Sequence, residues 1–182
     1  RLKSDEAFSD LYRARFGRAL QRSELPAAWR DEIAAALGGE PLKRADVDVS
    51  GLREFERNVL LTLAKIPRGE VRTYAWLARE AGCERAVRAV GTALARNPVA
   101  PLLPCHRVVP SSGGTGNYAL GPAAKVELLR REGVDVDTLS QFAARGIRFV
   151  ASKTTGIYCY PTCRDARRIR DENRVLLRDE RD

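Results

Sequence analysis

Cys105 and His106 stand side by side in Pro104-Cys105-His106-Arg107-Val108-Val109-Pro110. The histidine is the only one in 182 residues, and the cysteine is one of four. A thiol beside an imidazole is the raw material of an activated nucleophile. Free cysteine titrates near ~8.5, and an imidazole or a positive field brings thiolate into the physiological range. Apolar Pro101-Leu102-Leu103 leads into the pair, and Ser111-Ser112-Gly113-Gly114-Thr115-Gly116 leads out. The pair is therefore expected on a strand-like run that opens into a loop. A plainer reading stands beside this one: a half-buried strand whose cysteine packs as a small hydrophobe. The remaining cysteines, Cys83, Cys159 and Cys163, do not form the dense pattern of a secreted scaffold. They fit a reducing compartment, with thiol or metal chemistry.

Size and charge narrow the partners. The chain carries a formal charge of +8 and a pI of about 9.7. That favours an anionic partner, nucleic acid first; the alternative is a merely basic, arginine-rich protein. No apolar run approaches the ~18 residues of a membrane span, and no signal-peptide pattern opens the chain. We expect no membrane partner, a cytoplasmic location and a monomer. The chain begins at Arg1 and contains no methionine, so a piece of a longer protein is expected.

Several elements must position the Cys-His pair. Residues 4–16 read as an amphipathic helix capped by Ser4, with Phe8, Leu11, Tyr12 and Phe16 on one face. A second helix starts at Pro26, with Trp29, Ile33 and Leu37 inward. Residues 45–49 alternate as a short strand. Ser50 is expected to cap the next helix, which turns Leu52, Phe55, Val59, Leu60 and Leu63 inward. Thr73 caps a short helix, Gly82-Cys83 breaks it, and a further helix runs from Glu84 to about Arg96. Two short helices joined by a glycine turn make a helix-turn-helix pattern. In the second of them Val87, Val90 and Leu94 face in, while Arg85, Arg88, Thr92 and Arg96 face out. Ala86, Ala89 and Gly91 keep that helix slim enough to enter a DNA groove. A helix over 123–132, a linker over 134–140 and a strand over 147–151 complete the reading.

With these pieces in order, residues 50–133 closely resemble the methylated-DNA–protein-cysteine methyltransferases, or 6-O-alkylguanine-DNA alkyltransferases. The segments that carry the likeness are 66–74 (Ile66-Pro67-Arg68-Gly69-Glu70-Val71-Arg72-Thr73-Tyr74), Arg88-Ala89-Val90-Gly91, Asn97-Pro98 and Pro104-Cys105-His106-Arg107-Val108. The resemblance implies repair of double-stranded DNA by stoichiometric transfer of an alkyl group from 6-O-alkylguanine, and from 4-O-alkylthymine, to Cys105. It implies that His106 takes the thiol proton through a water and that Glu132 holds the other imidazole nitrogen. Asn97 would tie the helix to the active-site strand. Tyr74, Arg88, Ser111, Tyr118 and Arg107 would form the DNA- and base-contacting set. Arg88 would fill the gap left by a flipped nucleotide, Tyr74 would press on the phosphate, and Tyr118 with the 111–116 loop would shape the base pocket. No cofactor is implied for the transfer.

The tail resembles another family. Lys153-Thr154-Thr155-Gly156-Ile157-Tyr158-Cys159-Tyr160-Pro161-Thr162-Cys163 looks like the first half of the metal-binding domain of Ada adaptive-response proteins. In that family four cysteines hold zinc; here only Cys159 and Cys163 are present, so an incomplete site is expected, with truncation the favoured explanation. Zinc would bind only if the missing ligands were supplied.

The expected fold is mainly α with small β. A winged helix-turn-helix-like alkyltransferase domain (50–133) follows a shortened α/β amino-terminal remnant (1–49). The linker (134–140) then leads to a small α+β half-module (141–182). Rival readings are a non-catalytic damage sensor or an Ada-like transcriptional regulator, and, more remotely, a cysteine hydrolase.

Overall fold

The structure is a computed structural model, described here for residues 5–38 and 47–179. Its organising contact is a two-residue parallel ladder. Strand β1 (Arg72–Thr73) pairs with β2 (Val108–Val109), Arg72 opposite Val108 and Thr73 opposite Val109. Successive strand residues point to opposite faces, so the two valines of β2 seat in two different cores. Val108 joins Val59, Leu60, Leu63, Leu77, Val90, Leu94, Leu103 and Cys105. Val109 joins Val71, Leu129, Val134, Val136 and Leu139. The strand that follows the Cys-His pair is thereby fixed from both sides.

The first core is built by α3 (Glu54–Thr62), α4 (Tyr74–Glu80) and α5 (Val87–Ala95). The Thr73 hydroxyl accepts from the Trp76 amide and caps α4, as the sequence predicts. Gly82, with φ 71°, makes the turn between α4 and the 3-10 turn Glu84–Ala86 that leads into α5. Ser50 does not cap α3. It donates to the Asp48 carboxylate through its amide (2.9 Å) and its hydroxyl (2.6 Å), closing a local turn, and α3 begins only after Arg53. The strand expected at 45–49 is not formed over Val47–Val49; Ala45 and Asp46 lie outside the described residues, as does the Ser4 cap. Helices α1 (Asp5–Phe16) and α2 (Ala27–Leu37) are where the periodicity puts them. Trp29 was expected inward on α2, yet it is 57% exposed.

The second core joins the carboxy-terminal third to the rest. Helix α6 (Pro122–Arg131) ends at Gly133, which takes φ 83°. The linker expected over 134–140 is instead the start of α7 (Val136–Ala144), capped by the Asp135 carboxylate. The physical reason is burial: Val134, Val136 and Leu139 sink into the second core, which a solvated linker cannot do. A three-stranded antiparallel sheet follows, in the order β4 (Tyr158–Cys159), β3 (Phe149–Ser152), β5 (Arg174–Leu177). The short helix α8 (Arg164–Arg168) lies between β4 and β5 in the chain. This sheet unit is bonded directly to the approach to β1. The buried Val71 amide donates to the Thr162 hydroxyl at 2.9 Å, and the Arg164 amide donates to the Glu70 carboxylate at 3.1 Å. The described architecture is mainly helical, with two small sheets.

Candidate active site

Cys105 opens a 3-10 turn, Cys105–Arg107, immediately before β2; the strand expected for the pair begins two residues later, at Val108. The turn follows from the cap geometry: Arg107 N donates to the Pro104 carbonyl, and Cys105 N donates to Leu103 O at 2.7 Å. Its effect is to bury three consecutive side chains that a strand would alternate between two faces. Cys105, His106 and Arg107 are 4%, 2% and 8% exposed.

Asn97, just past α5, anchors the sulfur. Its amide nitrogen donates to Leu103 O at 2.8 Å and lies 3.1 Å from Cys105 Sγ, while its carbonyl accepts from the Val99 amide. Tyr118 faces the sulfur from the glycine-loop side, without a well-formed hydrogen bond to its buried hydroxyl. Burial pushes the Cys105 thiol above its ordinary value. Asn97, Tyr118 and the Lys125 ammonium pull the other way without overcoming it. The resting group is therefore a protonated thiol that needs a base.

The adjacent imidazole, His106, has base chemistry. Its Nε2 lies 2.8 Å from Glu132 Oε1. Burial by itself would raise the Glu132 pKa, but hydrogen bonds and charge from His106 and Arg107 outweigh it and hold the carboxyl at about 2. An ionised carboxylate only accepts, so Nε2 carries a proton, and in the neutral imidazole the lone pair falls to Nδ1. Nδ1 is buried and has no hydrogen-bond partner in the protein. The Tyr118 ring meets the imidazole edge-on, with centroids 6.4 Å apart.

Arg107 was expected to contact DNA, and the structure corrects this. Its guanidinium is buried, grips both Glu132 oxygens (2.8 and 2.9 Å) and donates to the Ile66 carbonyl at 2.8 Å. A guanidinium buried in this way and turned toward Glu132 is not presented at the surface to a phosphate. The structure also brings in a residue the sequence reading missed. Lys125 on α6 is fully buried, donating to Val108 O at 2.6 Å and Asn117 O at 3.3 Å. Burial pulls its pKa down to about 8. One signal was available: Lys125 stands four residues before Leu129, on the inward stripe of α6.

The remaining expected residues lie around this centre. Tyr74 is half-buried at the start of α4, within electrostatic reach of Cys105, and its ring lies 3.9 Å from where a Cβ on Gly91 of α5 would stand. Arg88 projects exposed from α5. Ser111 is exposed beside Thr73 and Arg79 in a groove toward the carboxy-terminal sheet. Cys159 and Cys163 are half-buried neighbours; burial pushes the Cys159 thiol up, and Cys163 adds to it. Among the described residues no group of three or more His, Cys, Asp or Glu side chains could hold a metal. Two thiols do not meet the four-ligand demand of structural zinc, so zinc does not fit the residues present.

The chain is similar to known proteins. Residues 54–134 match the family model for the 6-O-methylguanine DNA methyltransferase DNA-binding domain. The methylated-DNA–protein-cysteine methyltransferase of Methanosarcina acetivorans is 37% identical over 129 residues, covering 65% of this chain and 82% of that protein. The crystal structure of the Pyrococcus kodakaraensis O6-methylguanine-DNA methyltransferase is similar, with a TM-score of 0.59 and 32% identity over 69% of this chain and 75% of that one. So is that of Mycobacterium tuberculosis OGT in complex with DNA, with a TM-score of 0.52 and 33% identity over 67% and 83%.

Proposed function

The chain belongs to the methylated-DNA–protein-cysteine methyltransferases, DNA-binding repair proteins that move an alkyl group onto one of their own cysteines, each molecule once, and from that premise we propose that Cys105 is the acceptor. The observation that supports it best is the polar series behind the thiol. Arg107 holds Glu132, Glu132 holds His106 Nε2–H, and Nδ1 is left as the base.

In this reading His106 Nδ1 takes the thiol proton through a water, and the thiolate attacks the alkyl carbon. A sulfur–carbon bond forms as the carbon–O6 bond breaks. The bonding pair leaves on the guanine, which collects the proton and returns to its unmodified form. Thiolate suits an alkyl carbon, being soft and strongly nucleophilic. The displacement involves no net redox change and requires no cofactor. The product thioether has no ready leaving path, so the protein is consumed.

A thiol only 4% exposed cannot reach a base inside the duplex, so the alkylated guanine of double-stranded DNA leaves the stack. Arg88 fills the space, Tyr74 presses on the neighbouring phosphate, and Tyr118 with Ser111 and its loop receives the base. 4-O-Alkylthymine is accepted by the same displacement. Asn97 and Lys125 position the sulfur; zinc enters no step. The protein works as a cytoplasmic monomer. No helix among the described residues is long and apolar enough to cross a membrane.

The test is a Cys105→Ser variant presented with duplex DNA carrying O6-methylguanine. It should bind the duplex and leave the lesion intact, while the parent protein removes it. Lesion loss with the serine variant would overturn the assignment.

A further inference from the structure

The groove between α4 and the carboxy-terminal sheet shares Ser111 with the alkyl-transfer site and otherwise lies outside it. Its volume is about 710 Å³. One wall is the helix-turn-helix, with Thr73 and Arg79; the other comes from the sheet, with Arg148, and Ser111 of the glycine loop also lines it. It therefore begins at elements assigned above to DNA contact and runs onto a unit that lies beyond the family-matched residues 54–134.

Charge says what fits there. Residues 141–179 hold nine Lys or Arg against four Asp or Glu, a net of +5 out of the chain's net +8. Arg79 and Arg148 are exposed, and neither has a carboxylate partner among the described residues. Arg72 is different: it is tied to Glu70 at 2.6 Å and stacked over Trp76, so it is part of the wall. Two carboxylates, Glu84 and Asp179, also line the groove. They place a negative limit on the space and leave the two unpaired guanidiniums as its anion ligands.

We propose that this groove carries the phosphodiester backbone of the DNA flanking the lesion, with Arg79 and Arg148 each neutralising a phosphate. The carboxy-terminal unit is then a second half of the DNA interface, continuing it from α4 onto the sheet. The inference rests on the DNA-repair reading above and extends it to residues outside the alkyltransferase domain. Its consequence is thermodynamic: each phosphate neutralised releases counterions and steepens the salt dependence of binding.

The experiment measures affinity for a duplex carrying one O6-methylguanine by fluorescence anisotropy between 50 and 200 mM salt, for the parent, Arg79→Ala, Arg148→Ala, the double variant and Arg148→Lys. The slope of log affinity against log salt should shrink by ~1 for each arginine removed and by ~2 for both. The lysine variant should keep the parent slope. Thermal midpoints of all variants are recorded and should match the parent's, because an exposed arginine away from structural features contributes little to stability. An unchanged slope in the folded double variant overturns the groove. The parent's own repair of the same duplex is followed in parallel. If the parent repairs the lesion and the slope does not change, the groove alone fails; if the parent leaves the lesion intact, the repair reading itself has failed.

Discussion

Arg107 and Glu132 meet in a two-point ion pair, Nε to Oε2 at 2.8 Å and Nη2 to Oε1 at 2.9 Å, with both side chains shielded from solvent. Oε1 also receives His106 Nε2. One carboxylate thus serves as the counter-charge for a buried guanidinium and as the partner that fixes the His106 ring. Glu132 is buried at a cost that only these two partners offset.

Replacing Glu132 with Gln breaks both functions. A buried ion pair that loses one partner costs ~3–5 kcal/mol, because the other charge is left unpaired. Urea denaturation at pH 7 should show a loss of that order. The acid limb should change too. The Glu132 pKa lies at about 2 in the folded protein against 4.5 for the free group. A depressed carboxyl contributes stability above 4.5 and loses it as pH falls toward 2. The parent should shed stability through that window, and Glu132→Gln should show a shallower fall.

His106→Gln tests the base. Burial holds the Cys105 thiol above its usual range, so little thiolate exists near pH 7 without proton removal. The variant should lose ~10²–10⁴ in alkyl-transfer rate at pH 7. Its rate should then rise steeply with pH toward and beyond 9, where the parent profile has flattened. Quench-flow rates across pH 6–10 decide it; parallel profiles for the two proteins would contradict the assignment.

Lys125→Met removes a buried cation near the sulfur. Its folded pKa of about 8 lies below the 10.5 of the free amine, so the folded state binds fewer protons than the unfolded state between those values. The parent should gain stability relative to the variant as pH rises from 8 to 10.5. The loss of the ammonium also withdraws a field that favours thiolate. Iodoacetamide labelling of Cys105 should shift to higher pH in the variant.

These residues show what could and could not be seen in the sequence. The helix-turn-helix was legible because Val87, Val90 and Leu94 repeat at helical spacing and Thr73 and Gly82 punctuate it. The pairing of Cys105 with His106 was legible because the two are adjacent. The 3-10 turn was not: Cys-His-Arg-Val-Val reads as a strand until Pro104 and Leu103 supply the carbonyls that tighten it. Arg107 entered the DNA-contacting set with the resemblance, because its partner stands 25 residues away in the chain. Only the fold brings Glu132 back beside it. The 134–140 segment read as a linker because Asp135 and Asp137 interrupt its valines. In the folded chain Asp135 is the cap and Val134, Val136 and Leu139 are the buried face.

Arg88→Ala addresses the flipping step. Arg88 is exposed on α5 and touches none of the polar series behind Cys105. The ratio of the rate on duplex O6-methylguanine to the rate on free O6-benzylguanine base should fall by at least ~tenfold, since only the duplex has a gap to fill. Equal losses on both substrates would remove Arg88 from that role.

The central claim is that Cys105 is the alkyl acceptor. Intact-mass and peptide mass spectrometry after incubation with one equivalent of duplex DNA carrying O6-methylguanine measures it directly. One methyl group should appear on the peptide containing Cys105, in step with conversion of the lesion to guanine and with no second turnover. Conversion of the lesion with Cys105 unmodified, or a methyl group on Cys83, Cys159 or Cys163 in its place, would contradict the account.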